Sequence, residues 1–251
     1  MVSLLRAVLL DLGETLVHLD RPWNDVFNTN LEALYNYLTT LGLKLDYEQF
    51  AKRFIHLFDD ASSKADVYKI EIPMQEIISK VMKKSGLQFL GVDLPTSAMM
   101  EFYRPEVDTW RLFPDTVETL STLRDGGFEM GLISNSKSDW LIRSILQHQD
   151  LERFFQVIVT SAAMKIRKPR PEIFTEALKA LKVKAPESVF VGDSIQADVS
   201  GSKYVGMRSI HVFRKPITTT HPPQPDATVT RLSEIPKLIT SWNNGTNTST
   251  G

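Results

Sequence analysis

The stretch RAVLLDLGETLV, residues 6–17, decides how the rest of the chain is interpreted. It begins with a continuous apolar run, AVLLDL, which is typical of a strand buried on both faces of a parallel sheet. The run delivers one carboxylate, Asp11, and is followed by Gly13 and Thr15. Ligands of open parallel α/β sheets bind beyond the carboxyl ends of the strands, so this lone acid stands where a ligand would be contacted.

The composition excludes several classes of protein. The 251 residues are 42% hydrophobic, enough for one large domain or two small ones, and their net charge of −1 gives no basic field for nucleic acid or acidic membranes. Cysteine is absent, which excludes disulfides and thiolate chemistry and suits a reducing compartment. The five histidines form no close pair, and no apolar run has signal-peptide or transmembrane length. We therefore expect a cytoplasmic protein that binds neither nucleic acid nor membranes.

Two sequence patterns divide the chain. Residues 18–108 carry apolar side chains at helical spacing with no convincing strand among them, and the polar DDASSKAD, residues 59–66, is expected to join two helices. After residue 108, apolar runs alternate with amphipathic helices, which predicts a parallel sheet with right-handed crossovers. One of these helices is expected to start at an N-cap, Asp115, and to stop at Gly126–Gly127. The strands predicted in this part are FEMGLIS (128–134), FQVIVTS (155–161), SVFVGD (188–193) and RSIHVF (208–213).

The first strand must join the later sheet, which makes the helical block an insertion. The predicted fold class is therefore α/β, with a Rossmann-like parallel-sheet core formed by residues 1–17 and 109–240. Residues 18–108 form an inserted α-helical cap that lies over the core like a lid. Residues 241–251 are polar and of low complexity, which predicts a disordered tail.

Polar side chains stand at the ends of several predicted strands, where they are expected to converge on one rim of the sheet. This set suits phosphoryl transfer to an aspartate, because a carboxylate can attack phosphorus and a cation offsets the repulsion between the two anions. Carboxylate and carbonyl oxygens are ligands that suit Mg²⁺. The residues concerned are Asp11, Ser134, Asn135, Lys168, Asp193 and Asp198.

Four stretches, DLGETL, LISNS, RKPRPEIF and VGDSIQAD, resemble in this order the four motifs of the haloacid dehalogenase-like (HAD) hydrolase superfamily. The resemblance covers residues 4 to about 214, and the helical insertion resembles the type-1 α-helical cap of that superfamily. It implies a Mg²⁺-dependent phosphomonoester hydrolase, or phosphatase, which acts on a small phosphorylated metabolite through an aspartyl-phosphate intermediate. We expect a monomer or a homodimer.

The resemblance implies a role for each matching residue. Asp11 would be the nucleophile, and Ser134 and Lys168 would take part in catalysis while binding the phosphoryl group. Asn135 would assist in that binding.

The resemblance also implies a metal site. Asp11, Asp193 and the backbone carbonyl of Gly13 would bind Mg²⁺. Asp198 would support Lys168 or a water bound to the metal.

Position 13 departs from the superfamily's pattern. Most of its phosphatases read D-x-D-G-T/V, and the second acid protonates the leaving oxygen and then helps to activate water. This chain reads DLGET, so a glycine without a side chain stands there. A general acid–base is worth about 10²–10⁴ in rate. Turnover is therefore slow, confined to esters with good leaving groups, or dependent on another acid such as Glu14, His18, Asp20 or a residue of the cap.

Three other functions stay open at this point. A 2-haloacid dehalogenase would also use Asp11 but needs no metal, so the carboxylates of GDSIQAD argue against it. A non-catalytic phosphometabolite-binding protein would bind Mg²⁺ and phosphate without turnover. A phosphonatase would tolerate a small residue at position 13 but needs a specific cap lysine, and the sequence does not distinguish among Lys44, Lys52, Lys64 and Lys69.

Overall fold

The computed structural model describes residues 4–42, 44, 46–85, 93–214 and 223–245. Its strands are β1 Ala7–Leu10, β2 Val17–Leu19, β3 Trp110–Leu112, β4 Glu129–Ser134, β5 Val157–Thr160, β6 Ser188–Gly192, β7 Arg208–Val212 and β8 Ala227–Val229. Its helices are α1 Trp23–Thr40, α2 Tyr47–Tyr68, α3 Met74–Lys84, α4 Leu94–Val107, α5 Thr116–Asp125, α6 Asp139–His148, α7 Ser161–Met164, α8 Pro171–Leu181, α9 Ser200–Tyr204 and α10 Ile235–Asn243. A π-helical turn, Ile195–Val199, directly precedes α9.

Six strands form one parallel sheet in the order β5-β4-β1-β6-β7-β8. The strand β1 lies in the middle because its residues are apolar on both faces. Val8 and Leu10 pack into one hydrophobic cluster, and Ala7 and Leu9 pack into the other. The predicted α/β class with a parallel sheet is confirmed, and the carboxyl ends of β1, β4 and β6 are brought to the same edge.

Helices α1–α4 lie between β2 and β3, so the sequence leaves the sheet after β1 and returns to it after a helical excursion. β2 and β3 pair antiparallel, which closes the base of this insertion. The strand β2 spans the predicted boundary between residues 17 and 18. It has three residues, which are too few to show the alternation of apolar and polar side chains that indicates a strand in a sequence. The boundaries of core and cap as separate units stay a prediction.

Residues 59–66 do not join two helices, as the sequence analysis expected, but lie inside α2. Their polar side chains alternate with Ala61 and Ala65, which continue the buried face begun by Phe50 and Phe54. An ion pair of 2.7 Å between Lys64 and Asp60, one turn apart, lies on the opposite, solvent-facing side. Polarity here marks an exposed face and not a break in the helix.

Two further predictions, both about the ends of helices, differ from the structure. Asp115 precedes α5 but makes no capping hydrogen bond, and instead accepts one of 3.0 Å from the backbone N–H of Ser233. The predicted disordered tail begins too early, because α10 extends to Asn243. The Asn243 amide exchanges hydrogen bonds with the backbone of Leu5, which anchors this helix beside β1. Residues 246–251 lie outside the described residues.

The turn that follows β1 is held by contacts from distant parts of the chain. The Arg214 guanidinium donates to the carbonyls of Glu14 and Thr15 at 3.3 Å each. The Thr116 hydroxyl donates to the carbonyl of Leu16 at 2.8 Å. Glu14 has a left-handed backbone with φ 55°, which lets the chain reverse directly after Gly13. Among the described helices, none is both long and apolar enough to cross a membrane.

Candidate active site

A cavity of about 500 Å³ opens at the carboxyl edge of the sheet, between the sheet and the helical insertion. Asp11 directly follows β1, Ser134 ends β4, and Asp193 directly follows β6. All three line the cavity together with Lys168 and Asp198. Strand order explains the convergence, since β4 and β6 flank β1 on its two sides.

The Lys168 ammonium lies at the centre of the cluster. It contacts Asp11 Oδ1 at 2.7 Å, Asp198 Oδ1 at 2.8 Å and the carbonyl of Ile133 at 2.8 Å. The contacts with Asp11 and with the Ile133 carbonyl are hydrogen bonds, and the contact with Asp198 is an ion pair, so the ammonium is held from three sides. Lys168 is 3% exposed, and a charge at such depth is stable only with partners of this kind.

Burial and neighbouring charges oppose each other at this cluster. Burial raises the pKa of Asp11 to about 6, although the charge and hydrogen bond of Lys168 lower it. Burial, with the charges of Asp11 and Asp198, raises the pKa of Asp193 to about 7. Burial lowers the pKa of Lys168, but the two carboxylates raise it by more, so it ends above its ordinary value. Lys168 is therefore charged at neutral pH, and the carboxylates repel one another.

Three carboxylates of this cluster have the arrangement of a metal site. Asp11, Asp193 and Asp198 each offer an oxygen, and these oxygens lie within 4.8 Å of one another. Asp198 already accepts a hydrogen bond of 2.9 Å from the backbone of Ser194 and contacts Lys168. Asp11 and Asp193 are therefore the two side chains best placed to bind a cation, and such hard oxygen donors suit Mg²⁺.

Glycine at position 192 makes room for Asp198. A Cβ built on Gly192 would lie 2.2 Å from Asp198 Oδ2 and 2.4 Å from its Cγ. The carboxylate thus occupies the space that a side chain at the end of β6 would fill. The π-helical turn that carries Asp198 starts with Ser194, whose hydroxyl accepts from the backbone N–H of Ala197.

Ser134 and Asn135 differ in what their side chains contact. Ser134 is 4% exposed and lines the cavity. The Asn135 amide accepts from the backbone N–H of Lys168 at 2.8 Å and donates to its carbonyl at 3.1 Å. Asn135 therefore holds the loop that carries Lys168. Direct binding of a phosphoryl group by Asn135 stays a prediction.

The candidates for a replacement acid lie in different places. Glu14 lines the cavity. His18 lies on β2, where its Nδ1 is 3.0 Å from the carbonyl of Leu19 and its ring packs against Phe113. Asp20 is paired with Arg21 and Arg111 at 2.9 and 2.7 Å, and the hydrogen bond from Arg21 lowers its pKa, so it is ionised and a poor proton donor.

The insertion contributes cavity residues that the sequence analysis did not single out. They are Trp23 of α1, Phe58 of α2, Tyr103 and Glu106 of α4, and Trp110 of β3. Glu106 is 1% exposed, and burial raises its pKa to about 7. The sequence of α4 could have indicated that Glu106 is unusual. Phe102 and Glu106 are one helical turn apart, so this acid lies on the apolar face of the helix.

A second buried carboxylate, Glu71, joins the insertion to the core loops. It lies between α2 and α3, accepts a hydrogen bond of 2.8 Å from the Ser161 hydroxyl, and pairs with Lys137 at 3.3 Å. Arg167 approaches it at 3.9 Å. Lys137 and Arg167 both line the cavity, and Glu71 offsets part of their charge.

Comparison with known proteins agrees with this architecture. The chain is 23% identical to a glyceraldehyde 3-phosphate phosphatase from Methanocaldococcus jannaschii, over 94% of this chain and 97% of that protein. It is 29% identical to haloacid dehalogenase-like hydrolase domain-containing protein 3 from Xenopus laevis, over 65% of this chain and 67% of that one. The fold resembles a 2-haloacid dehalogenase from Pseudomonas syringae pv. Tomato, with a TM-score of 0.69 at 24% identity, over 95% and 100% of the two chains. It also resembles a HAD phosphatase from Thermococcus onnurineus, with a TM-score of 0.65 at 22% identity, over 94% and 98%.

The fold and these relatives together define a hydrolase built on a parallel α/β sheet. The family profile described as haloacid dehalogenase-like hydrolase matches residues 43–212. The chain therefore belongs to the haloacid dehalogenase-like hydrolase family, as its four motifs implied.

Proposed function

We propose that this protein is a Mg²⁺-dependent phosphomonoester hydrolase that acts on a small phosphorylated metabolite. One observation carries the proposal. A buried carboxylate, Asp11, contacts the Lys168 ammonium at 2.7 Å and shares a cluster with Asp193, in the lining of the cavity between the sheet and the insertion. Relatives named as glyceraldehyde 3-phosphate phosphatases support the reaction class.

In the proposed mechanism, Asp11 attacks phosphorus, the bond from phosphorus to the ester oxygen breaks with its electron pair on that oxygen, and the alcohol or phenol departs. Water then hydrolyses the aspartyl-phosphate to inorganic phosphate and returns the Asp11 carboxylate. Lys168 offsets negative charge on Asp11 and on the transferred group, and Asn135 keeps the Lys168 loop in place. The hydroxyl of Ser134 hydrogen-bonds a phosphoryl oxygen. Mg²⁺ bound by Asp11, Asp193 and the Gly13 carbonyl would supply the positive charge that lets two anions approach.

The electrostatics of the cluster support this assignment over a purely structural role. A structural ion pair needs one partner for each charge, whereas here one lysine meets two carboxylates and a third lies within 4.8 Å. Such an excess of buried negative charge costs stability unless a cation is bound. Perturbed carboxyl pKa values in a cavity are typical of functional sites.

The test is hydrolysis of p-nitrophenyl phosphate with Mg²⁺ by the wild type, by Asp11→Asn and by Asp20→Asn. Asp20 is a matched control, since it is an acid close in sequence whose partners are Arg21 and Arg111. We expect Asp11→Asn to fall to background, Asp20→Asn to keep wild-type activity, and EDTA to abolish turnover. Equal rates for the wild type and Asp11→Asn would remove the assigned nucleophile.

Two further measurements separate this function from two of the three alternatives, the dehalogenase and the non-catalytic binding protein. A dehalogenase would release halide from 2-haloacids in the presence of EDTA. A non-catalytic binding protein would take up Mg²⁺ and phosphate in calorimetry and would not hydrolyse even the activated ester. The absence of an acid at Gly13 is the observation that favours this second alternative.

A further inference from the structure

The space beside Gly13 is bordered on one side by the indole ring of Trp110. A Cβ built on Gly13 would lie 3.6 Å from Trp110 Cη2 and 3.8 Å from Cζ3. These distances are ordinary van der Waals contact, so a Cβ at position 13 would touch the edge of the Trp110 ring. A carboxyl group on that Cβ would have to turn away from the ring or displace it.

Trp110 is fixed in this position from several sides. Its Nε1–H donates to Glu106 Oε1 at 3.3 Å, and its carbonyl accepts from the Gln149 amide at 2.8 Å. Its backbone pairs with Leu19 across the β2–β3 ladder. Glu106 is in turn held by the Asn30 amide at 2.7 Å. The ring therefore presents the same edge to Gly13, and that edge consists of C–H groups without an exchangeable proton.

On the side of the insertion, the cavity beside Asp11 is lined by aromatic side chains. Trp23, Phe58, Tyr103 and Trp110 line it. Burial raises the pKa of Tyr103 well above its ordinary value, and the charge of Glu106 raises it further, so its hydroxyl is a weak acid. Planar apolar groups pack well against such walls.

We propose that Trp110 is a specificity-determining residue, which makes this site selective for phosphate monoesters of acidic, planar hydroxyl compounds such as phenols and enols. The inference rests on the hydrolase function proposed above. In such esters the P–O bond to the leaving group breaks with its electron pair on the departing oxygen, and the aryloxide or enolate leaves without receiving a proton. Asp11 holds the phosphoryl group. Water then bonds to phosphorus, the Asp11–phosphorus bond breaks, Asp11 returns as a carboxylate, and both hydrogens of the water leave on inorganic phosphate.

Alkyl phosphates are expected to be poor substrates for the same reason. Their alkoxide leaves readily only when it is protonated, and at position 13, where most phosphatases of the superfamily carry the acid, ring carbons of Trp110 are the neighbours instead of a carboxyl group. The missing general acid then costs about 10²–10⁴ in rate for alkyl esters and little for aryl esters.

The experiment measures kcat/KM for a series of substituted phenyl phosphates of increasing leaving-group pKa, and for glyceraldehyde 3-phosphate, with Mg²⁺. We expect wild-type kcat/KM to fall several-fold for each unit of leaving-group pKa, with glyceraldehyde 3-phosphate at least about 100-fold below the best aryl ester. A flat dependence, or preference for the alkyl ester, would overturn the inference and leave the hydrolase function intact. No hydrolysis of any ester would overturn both.

Variants locate the effect in Trp110. Gly13→Asp alone is expected to keep the steep dependence, because its carboxyl would have to turn away from the indole edge that lies 3.6 Å from its Cβ. Gly13→Asp combined with Trp110→Ala should flatten the dependence and raise turnover of the alkyl ester at least about tenfold. Gly13→Asp combined with Trp23→Ala is the matched control, since Trp23 lines the same cavity, and it should stay steep. Flattening in Gly13→Asp alone, or equally in both double variants, would contradict the role of Trp110.

Discussion

Replacing Glu106 by glutamine should stabilise the protein at pH 8 and leave its stability at pH 4.5 almost unchanged. Burial raises the pKa of this carboxyl from 4.5 to about 7, although hydrogen bonds from Asn30 and Trp110 lower it. The folded chain therefore holds the proton more tightly than the unfolded chain. The contribution of Glu106 to stability is therefore fully present below pH 4.5 and is lost as the pH rises through about 7.

The size of the effect follows from the difference between the two pKa values. A step from 4.5 to about 7 corresponds to about 3 kcal/mol of unfolding free energy, because one pKa unit is equivalent to about 1.4 kcal/mol. Glutamine resembles the protonated carboxyl in shape and has no charge. Its carbonyl can still accept from Trp110. Its amide would face Asn30 Nδ2, so the Asn30 amide has to turn by about 180° to present Oδ1, a buried oxygen for which the described residues provide no hydrogen bond, as the acceptor. We expect a gain of up to about 3 kcal/mol at pH 8.

The assay is urea unfolding between pH 4.5 and pH 8, in EDTA so that bound metal does not contribute. The difference between variant and wild type isolates Glu106 from Asp11 and Asp193, whose carboxyls titrate in the same range. Glu101→Gln on the same helix is the control, because its side chain is 32% exposed and its pairing with Arg104 is worth at most about 1 kcal/mol. A gain from Glu106→Gln that does not depend on pH would refute the reasoning.

Three further predictions follow from contacts described above. Gly192→Ala should cost about 1–3 kcal/mol in urea unfolding and reduce hydrolysis, because its Cβ would collide with Asp198 at 2.2 Å and disturb Lys168. Glu71→Gln should cost about 1–3 kcal/mol, since it leaves the partly buried Lys137 without its carboxylate, while Glu76→Gln in an exposed pair should cost under about 1 kcal/mol. Mg²⁺ should raise the thermal midpoint of the wild type and not of Asp193→Asn.

The sequence correctly predicted those features of the fold that depend only on the local hydrophobic pattern and on the order of the strands. Continuous apolar runs identified β1 and β6, and topology then brought Asp11 and Asp193 to one edge. Polarity misled at residues 59–66, where an exposed face was taken for a break although Ala61 and Ala65 kept the helical period. The periodicity of residues 50–65 is the more reliable guide in such a segment.

Contacts between distant residues could not be predicted from pattern. The hydrogen bond from Ser233 to Asp115 and the exchange between Asn243 and Leu5 depend on tertiary packing. The same holds for Trp110, whose ring contacts a position almost 100 residues earlier in the chain. A missing side chain at position 13 was visible in the sequence, but the ring that borders its place was not.

The charge of the cluster around Lys168 predicts the order in which cation and ester would bind in the proposed reaction. Asp11, Asp193 and Asp198 with one lysine have a formal charge of −2 when all four groups are ionised. This charge would repel a free phosphate ester, so under the proposed function we expect the divalent cation to bind before the ester. Inorganic phosphate should accordingly compete with substrate only in the presence of the cation, and product should leave before the cation does.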